Sequence, residues 1–220
     1  MKYSISTTST ENFKDAIKLI NKTDATYLHV DVMDGKFVEN KQYTVADIKK
    51  FDELSTKPLD VHLMVDNPLK YIEKIAFFNI AYLTFHLEIT KDIDTLIDEV
   101  KMTGIKVGLS IKPNTKVSEL TPYLDKIDQV LLMSVEPGEG GQTFLEDTKT
   151  RLDELKELTK DKNILIAVDG GINNETITQV KDADMVIVGS YITNSSNYNE
   201  AINNLNESLA SSNEEDTIIE

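Results

Sequence analysis

Residues 27–65 read YLHVDVMDGKFVENKQYTVADIKKFDELSTKPLDVHLMV. The stretch opens on an apolar, β-branched run (Tyr27–Val32) and crosses a polar connection into a segment with helical apolar spacing (Val45–Leu54). It then returns to a second apolar run (Leu59–Val65). A parallel strand, a crossover helix and another parallel strand have this pattern, because strands covered by helices on both faces are apolar nearly throughout. The same unit recurs along the chain. Further runs lie at Tyr3–Thr7, Ala81–His86, Lys106–Ile111, Gln129–Val135, Ile164–Val168 and Met185–Val188. Helical segments are expected at Thr10–Asn21, Pro68–Phe78, Asp92–Met102, Val117–Lys126, Leu145–Leu158, Asn174–Lys181 and Tyr198–Leu209. Eight βα units in 220 residues predict an α/β fold, a single-domain (β/α)8 TIM barrel over residues 1–210. An open doubly wound sheet would show fewer strands and a dinucleotide fingerprint, and neither G-x-G-x-x-G nor a Walker lysine occurs. The tail 211–220 (SSNEEDTIIE) is polar and acidic, lacks an amphipathic period and is expected to be frayed.

Composition narrows the chemistry. With 40% hydrophobic and 28% charged residues, the chain has enough apolar material for a core, and no run approaches the roughly 18 apolar residues of a membrane span. The formal net charge of −15 and the scattered lysines argue against nucleic acid and anionic membranes as partners. Zero cysteines exclude disulfides, thiolate metal sites and a cysteine nucleophile. The N-terminus shows no apolar export signal, so a cytoplasmic location is expected.

Barrel chemistry sits at the C-terminal ends of the strands. All three histidines fall there: His29 with Asp31 on the second run, His62 on the third, His86 on the fourth. Asp169 ends the seventh. The period of two in His29-x-Asp31 puts both side chains on one strand face. With His62 and Asp169 they form a candidate four-ligand site for one divalent ion, Zn²⁺, Fe²⁺, Mn²⁺ or Co²⁺. A lone inward histidine is more often a hydrogen-bonded core residue, and that reading suits His86. It does not suit the other four together, because two buried carboxylates need a cation.

Glycines gather on the same rim: Gly138, Gly140 and Gly141 after the sixth run, Gly170 and Gly171 after Asp169, and Gly189 with Ser190 after the eighth. Each alone reads as a tight turn. Clustered, their exposed amides suit a phosphate group. Met33, Met64 and Met133 fall at strand-end positions, where they fill core gaps or wall reacting atoms from water.

The blocks HVDVMDGKFVEN, DVHLMVDNP, FHLE, GLSIKPNT, VLLMSVEPGEGGQTF, VDGGI and VGS, in this order between Ser4 and Ser190, closely resemble the ribulose-phosphate 3-epimerase family. That resemblance implies an isomerase of the pentose phosphate pathway and carbohydrate metabolism, acting on a small-molecule sugar phosphate. The implied reaction converts D-ribulose 5-phosphate to D-xylulose 5-phosphate by two-carboxylate proton transfer through a metal-stabilised enediolate. It also implies metal ligands at His29, Asp31, His62 and Asp169, and acid/base carboxylates at Asp31 and Asp169. Implied substrate contacts are Ser4, His62 and the phosphate loops Gly141–Gln142, Gly170–Gly171 and Gly189–Ser190. Barrels of this family often associate, so a homo-oligomer is among the expectations. Alternatives are an allulose-6-phosphate 3-epimerase and a sugar-phosphate-binding barrel without turnover. The chain departs from the family pattern at Tyr3 (usually Pro), Lys36 (His), Glu39 (Pro) and Glu139 (Phe). A carboxylate facing inward at Glu139 would repel a phosphate.

Overall fold

A computed structural model describes residues 1–89 and 92–218, with side chains to residue 212. The strands are β1 (Lys2–Ser6), β2 (Tyr27–Asp34), β3 (Lys41–Gln42), β4 (Leu59–Met64), β5 (Ile80–His86), β6 (Lys106–Ile111), β7 (Gln129–Met133), β8 (Leu165–Asp169) and β9 (Met185–Val188). The helices are α1 (Phe13–Ile20), α2 (Val45–Leu54), α3 (Leu69–Ile75), α4 (Ile93–Met102), α5 (Thr148–Thr159), α6 (Ser190–Thr193) and α7 (Tyr198–Ile218). The sheet runs β1-β9-β8-β7-β6-β5-β4-β2, and a parallel β1–β2 pairing closes it into an eight-stranded barrel. β3 is a two-residue antiparallel flap on the end of β2, with Met33 opposite Gln42, and has no counterpart among the eight expected strands.

Two segments expected as α-helices are 3₁₀ turns instead. Val117–Tyr123 contains Pro122, which lacks the N–H an α-turn needs. Ile177–Val180 lies in a β-branched stretch, Thr176-Ile177-Thr178, that disfavours an α-helix. α2 begins where expected because Thr44 and Asp47 form a reciprocal capping box. α7 runs past the expected Leu209 to Ile218 and so enters the acidic tail; residues 219–220 lie outside the described residues. Among the described residues no helix is long and apolar enough to cross a membrane.

Strand alternation sorts the side chains into two environments. Outward residues such as Ile5, Leu28, Val30, Leu63, Leu83, Phe85 and Leu109 pack under the helices in the main core. The inward face divides. On β7, β8 and β9 it is mostly apolar, with Leu131, Met133, Ala167, Met185 and Ile187 clustered together, and is interrupted by Gln129 at the start of β7 and Asp169 at the end of β8. On β1 to β6 it is polar yet buried, with Ser4, Ser6, His29, Asp31, Asp60, His62, Thr84, His86 and Ser110.

Space in this lumen is tight at Gly108 on β6, where a Cβ would collide with Thr84 Oγ1 of β5, itself held by Gln129 Nε2 at 3.1 Å. Gly108→Ala is therefore expected to lower unfolding free energy by about 1–3 kcal/mol, measured by denaturant titration. A change near zero would mean the Thr84 layer is loosely packed.

Candidate active site

The parallel register sets His29 beside Asp60 and Asp31 beside His62 across β2 and β4. Asp169 comes to the same point from the end of β8. One donor atom from each of His29, Asp31, His62 and Asp169 lies within 4.8 Å of the others. Asp31 Oδ1 is 3.1 Å from His29 Nε2 and 3.2 Å from His62 Nδ1, and Asp169 Oδ2 is 4.0 and 3.9 Å from the same two nitrogens. Four ligands in a tetrahedron around a metal at roughly 2.1 Å stand about 3.4 Å apart, so these spacings suit one ion.

The outer partners of the rings decide what the inner nitrogens present. Glu88 Oε2 lies 3.1 Å from His86 Nδ1, and His86 Nε2 lies 2.9 Å from His62 Nε2. Glu88 accepts from Lys112 N and Thr115 Oγ1 through its other oxygen, which anchors it as a carboxylate. His86 then donates through Nδ1 to Glu88 and accepts through Nε2 from His62, leaving His62 Nδ1 with a bare lone pair. On the other side, His29 donates through Nδ1 to Asp60 Oδ2 at 2.8 Å, and its Nε2 lone pair also faces Asp31. Two nitrogen lone pairs and two carboxylates thus point at one place, an arrangement stable only with a cation or added protons there.

Electrostatics agree. Burial opposes a charged His29, yet Asp31 and Asp60 raise its pKa well above the ordinary value. Burial likewise opposes an ionised Asp31, and His29 and His62 outweigh it, so that carboxyl is held well below the usual range. Asp169 is pushed up to about 6 by burial and by the charge of Asp31. His86 is lowered to about 4, chiefly by burial, as befits a neutral link between His62 and Glu88. It stands behind His62, not beside the four converging atoms.

Above this cluster opens a cavity of about 660 Å³. Met33, Met64, Met133, Gly138, Gly140, Gly141, Gln142, Gly170, Gly171, Gly189 and Ser190 all line it, together with Asp31 and Asp169. Gly171, at φ +65, admits no side chain, since a Cβ would stand 2.6 Å from Phe144 N. Ser134 Oγ donates to the carbonyls of Asp169 and Gly170, and Arg151 donates to those of Met133 and Lys112, so the rim is tied from below. Over the mouth, Asn40 Nδ2 donates to Gly138 O at 2.8 Å. Glu139 lines the cavity as an exposed residue, its carbonyl accepting from Gln142 Nε2.

Ser4 departs from expectation. It is fully buried one layer lower, outside the cavity lining, and donates to Asp60 Oδ2 at 2.9 Å; His62, also expected as a substrate contact, is likewise fully buried and outside that lining. The serine of β1 that reaches the cavity is Ser6, two residues on along the same face, with Thr8 beyond it. Sequence reasoning also passed over Asp60, the partner of His29. A carboxylate two positions before His62 on an inward strand face was the signal available.

A family model described as the ribulose-phosphate 3 epimerase family matches residues 1–193. The ribulose-phosphate 3-epimerase of Helicobacter pylori strain J99 is 36% identical over 209 residues, 93% of this chain and 96% of that protein. The protein of the same name from Bacillus subtilis strain 168 is 34% identical over 194 residues, 86% and 89% of the two chains. Two solved structures share the fold alone. The 3-hexulose-6-phosphate synthase of Salmonella typhimurium has a TM-score of 0.66 at 18% identity and covers 96% of this chain and 100% of its own. The N-(5'-phosphoribosyl)anthranilate isomerase of Pyrococcus furiosus has a TM-score of 0.64 at 14% identity, covering 96% and 99%. With the matched span running through the whole closed barrel and every converging side chain, the chain belongs to the ribulose-phosphate 3 epimerase family.

Proposed function

We propose that this protein inverts C3 of a ketose phosphate, interconverting D-ribulose 5-phosphate and D-xylulose 5-phosphate with one divalent first-row metal as cofactor. The observation that carries this reading is the convergence of two carboxylates and two ring-nitrogen lone pairs at the floor of a 660 Å³ cavity. A divalent cation held by His29, Asp31, His62 and Asp169 would supply Lewis-acid polarisation of a ketone. Asp31 and Asp169 carry the protons. An aspartate, with an ordinary pKa of about 3.9, is a weak base toward carbon, so the acidity of C3–H must be raised at the site itself. The two residues come from strands separated by β9 and β1, and so reach the substrate from different sides. One removes the proton of C3 while the other returns a proton to the opposite face, and their roles exchange in reverse. Met33, Met64 and Met133 keep bulk water from this transfer.

Phosphate recognition is assigned to the amides of Gly141–Gln142, Gly170–Gly171 and Gly189–Ser190. Backbone dipoles suit a protein of net charge −15 whose cavity is lined, among the described residues, by no lysine or arginine.

Asp31→Asn and Asp169→Asn are each expected to lower kcat by about 10²–10⁴-fold, measured on ribulose 5-phosphate with folding checked by circular dichroism. Near-normal turnover in either overturns the assignment. His62→Ala should lower the metal content found by elemental analysis, with part of the activity restored by excess metal, whereas His86→Asn should leave bound metal intact. The distance from the ligand cluster to the phosphate loops selects carbon number, so kcat/KM for ribulose 5-phosphate should exceed that for allulose 6-phosphate by about tenfold or more. Equal or inverted specificity would move the substrate to the hexulose phosphate.

A further inference from the structure

Asp31 and Asp169 are held very differently. Asp31 Oδ2 accepts two hydroxyl hydrogen bonds from the end of β1, from Ser6 Oγ at 2.8 Å and from Thr8 Oγ1 at 2.7 Å. Thr8 N donates to Ser6 Oγ at 3.3 Å, and the single Ser6 proton has Asp31 Oδ2 at 2.8 Å as a nearer acceptor than Thr8 Oγ1 at 3.1 Å. Asp169 is held through its backbone carbonyl by Ser134, while its carboxylate stands at 3.9–4.0 Å from the two imidazoles. Both Ser6 and Thr8 border the cavity. Ser6, the last residue of β1 and in register with His29, and Thr8, in the turn that follows, reach the same carboxylate oxygen.

We infer that Ser6 and Thr8 are positioning residues, a hydroxyl pair that fixes the Asp31 carboxylate so that Oδ1 faces the ligand cluster and Oδ2 faces the substrate cavity. The inference rests on the proposed epimerase reading and deepens it. Free rotation about the Asp31 Cβ–Cγ bond would exchange the two oxygens and blur the line of proton transfer, whereas two short charge-assisted bonds hold a single orientation. Among the described residues the Asp169 carboxylate has no such hydroxyl pair.

The test compares wild type, Ser6→Ala/Thr8→Val, each single variant and Thr8→Ser, all metal-loaded. The double variant is expected to lose about 10–100-fold in kcat with KM and metal per chain within about threefold of wild type, and Thr8→Ser should retain most activity. A crystal structure of the double variant should show the Asp31 carboxylate rotated or in two orientations. Unchanged kcat, a rise in KM alone, or equal damage from Thr8→Ser and Thr8→Val would overturn the inference. If the double variant fails to fold, the single variants carry the same comparison. If wild type epimerises no ketose phosphate, the proposed function falls, while the Asp31 orientation still decides the clamp.

Discussion

Four electron-rich atoms that mutually repel lie within 4.8 Å of one another at the mouth of this barrel, and much of the surrounding structure exists to keep them there. An unpaired buried charge is expensive, and breaking a buried pair costs about 3–5 kcal/mol, so each member has a second partner behind it. His29 has Asp60, His62 has His86 backed by Glu88, Asp31 has Ser6 and Thr8, and the Asp169 backbone has Ser134. These outer contacts set ring tautomers and carboxylate orientations before any ligand arrives. The arrangement is a preorganised pocket of donor atoms that could hold a metal ion.

The division of the lumen follows from that demand. Polar side chains predominate on the inner face of β1 to β6, where the relays run, and apolar ones on β7 to β9 apart from Gln129 and Asp169. A lumen polar all round would need partners for every buried group, and one apolar all round could not orient the ligands. Even so, among the described residues Asp60 Oδ1 and Gln129 Oε1 have no hydrogen-bond partner.

Much of this was legible in the sequence, for identifiable reasons. Met185–Val188 was readable to the residue because both faces are buried and apolar residues continue without alternation, and Lys106–Ile111 because Val107, Leu109 and Ile111 alternate with the small Gly108 and Ser110. The converging ligands were readable because strand ends in a barrel share one rim. What was not readable depends on relations between strands. Ser4 and Ser6 lie on the same face, and only the stagger of β1 against β2 decides which reaches the cavity. The Asp60–His29 pair needs the β2–β4 register, and β3 needs the path of a loop. The hydroxyls in Ser6-Thr7-Thr8-Ser9 looked like ordinary turn residues, since short polar side chains serve turns and caps as readily as carboxylates.

The closure of the barrel by β1 against β9 has a temporal side. During synthesis β1, β2 and β4 emerge first, so His29, Asp31, His62 and the Ser6–Thr8 pair are all made long before Asp169. The first strand cannot gain its second neighbour until the last one leaves the ribosome. Ring closure and completion of the ligand set therefore coincide at the end of folding, as long-range pairings in parallel sheets generally come late. A nascent chain short of β8 and β9 holds only part of the donor set, so the group that could hold a metal ion is complete only in the finished barrel.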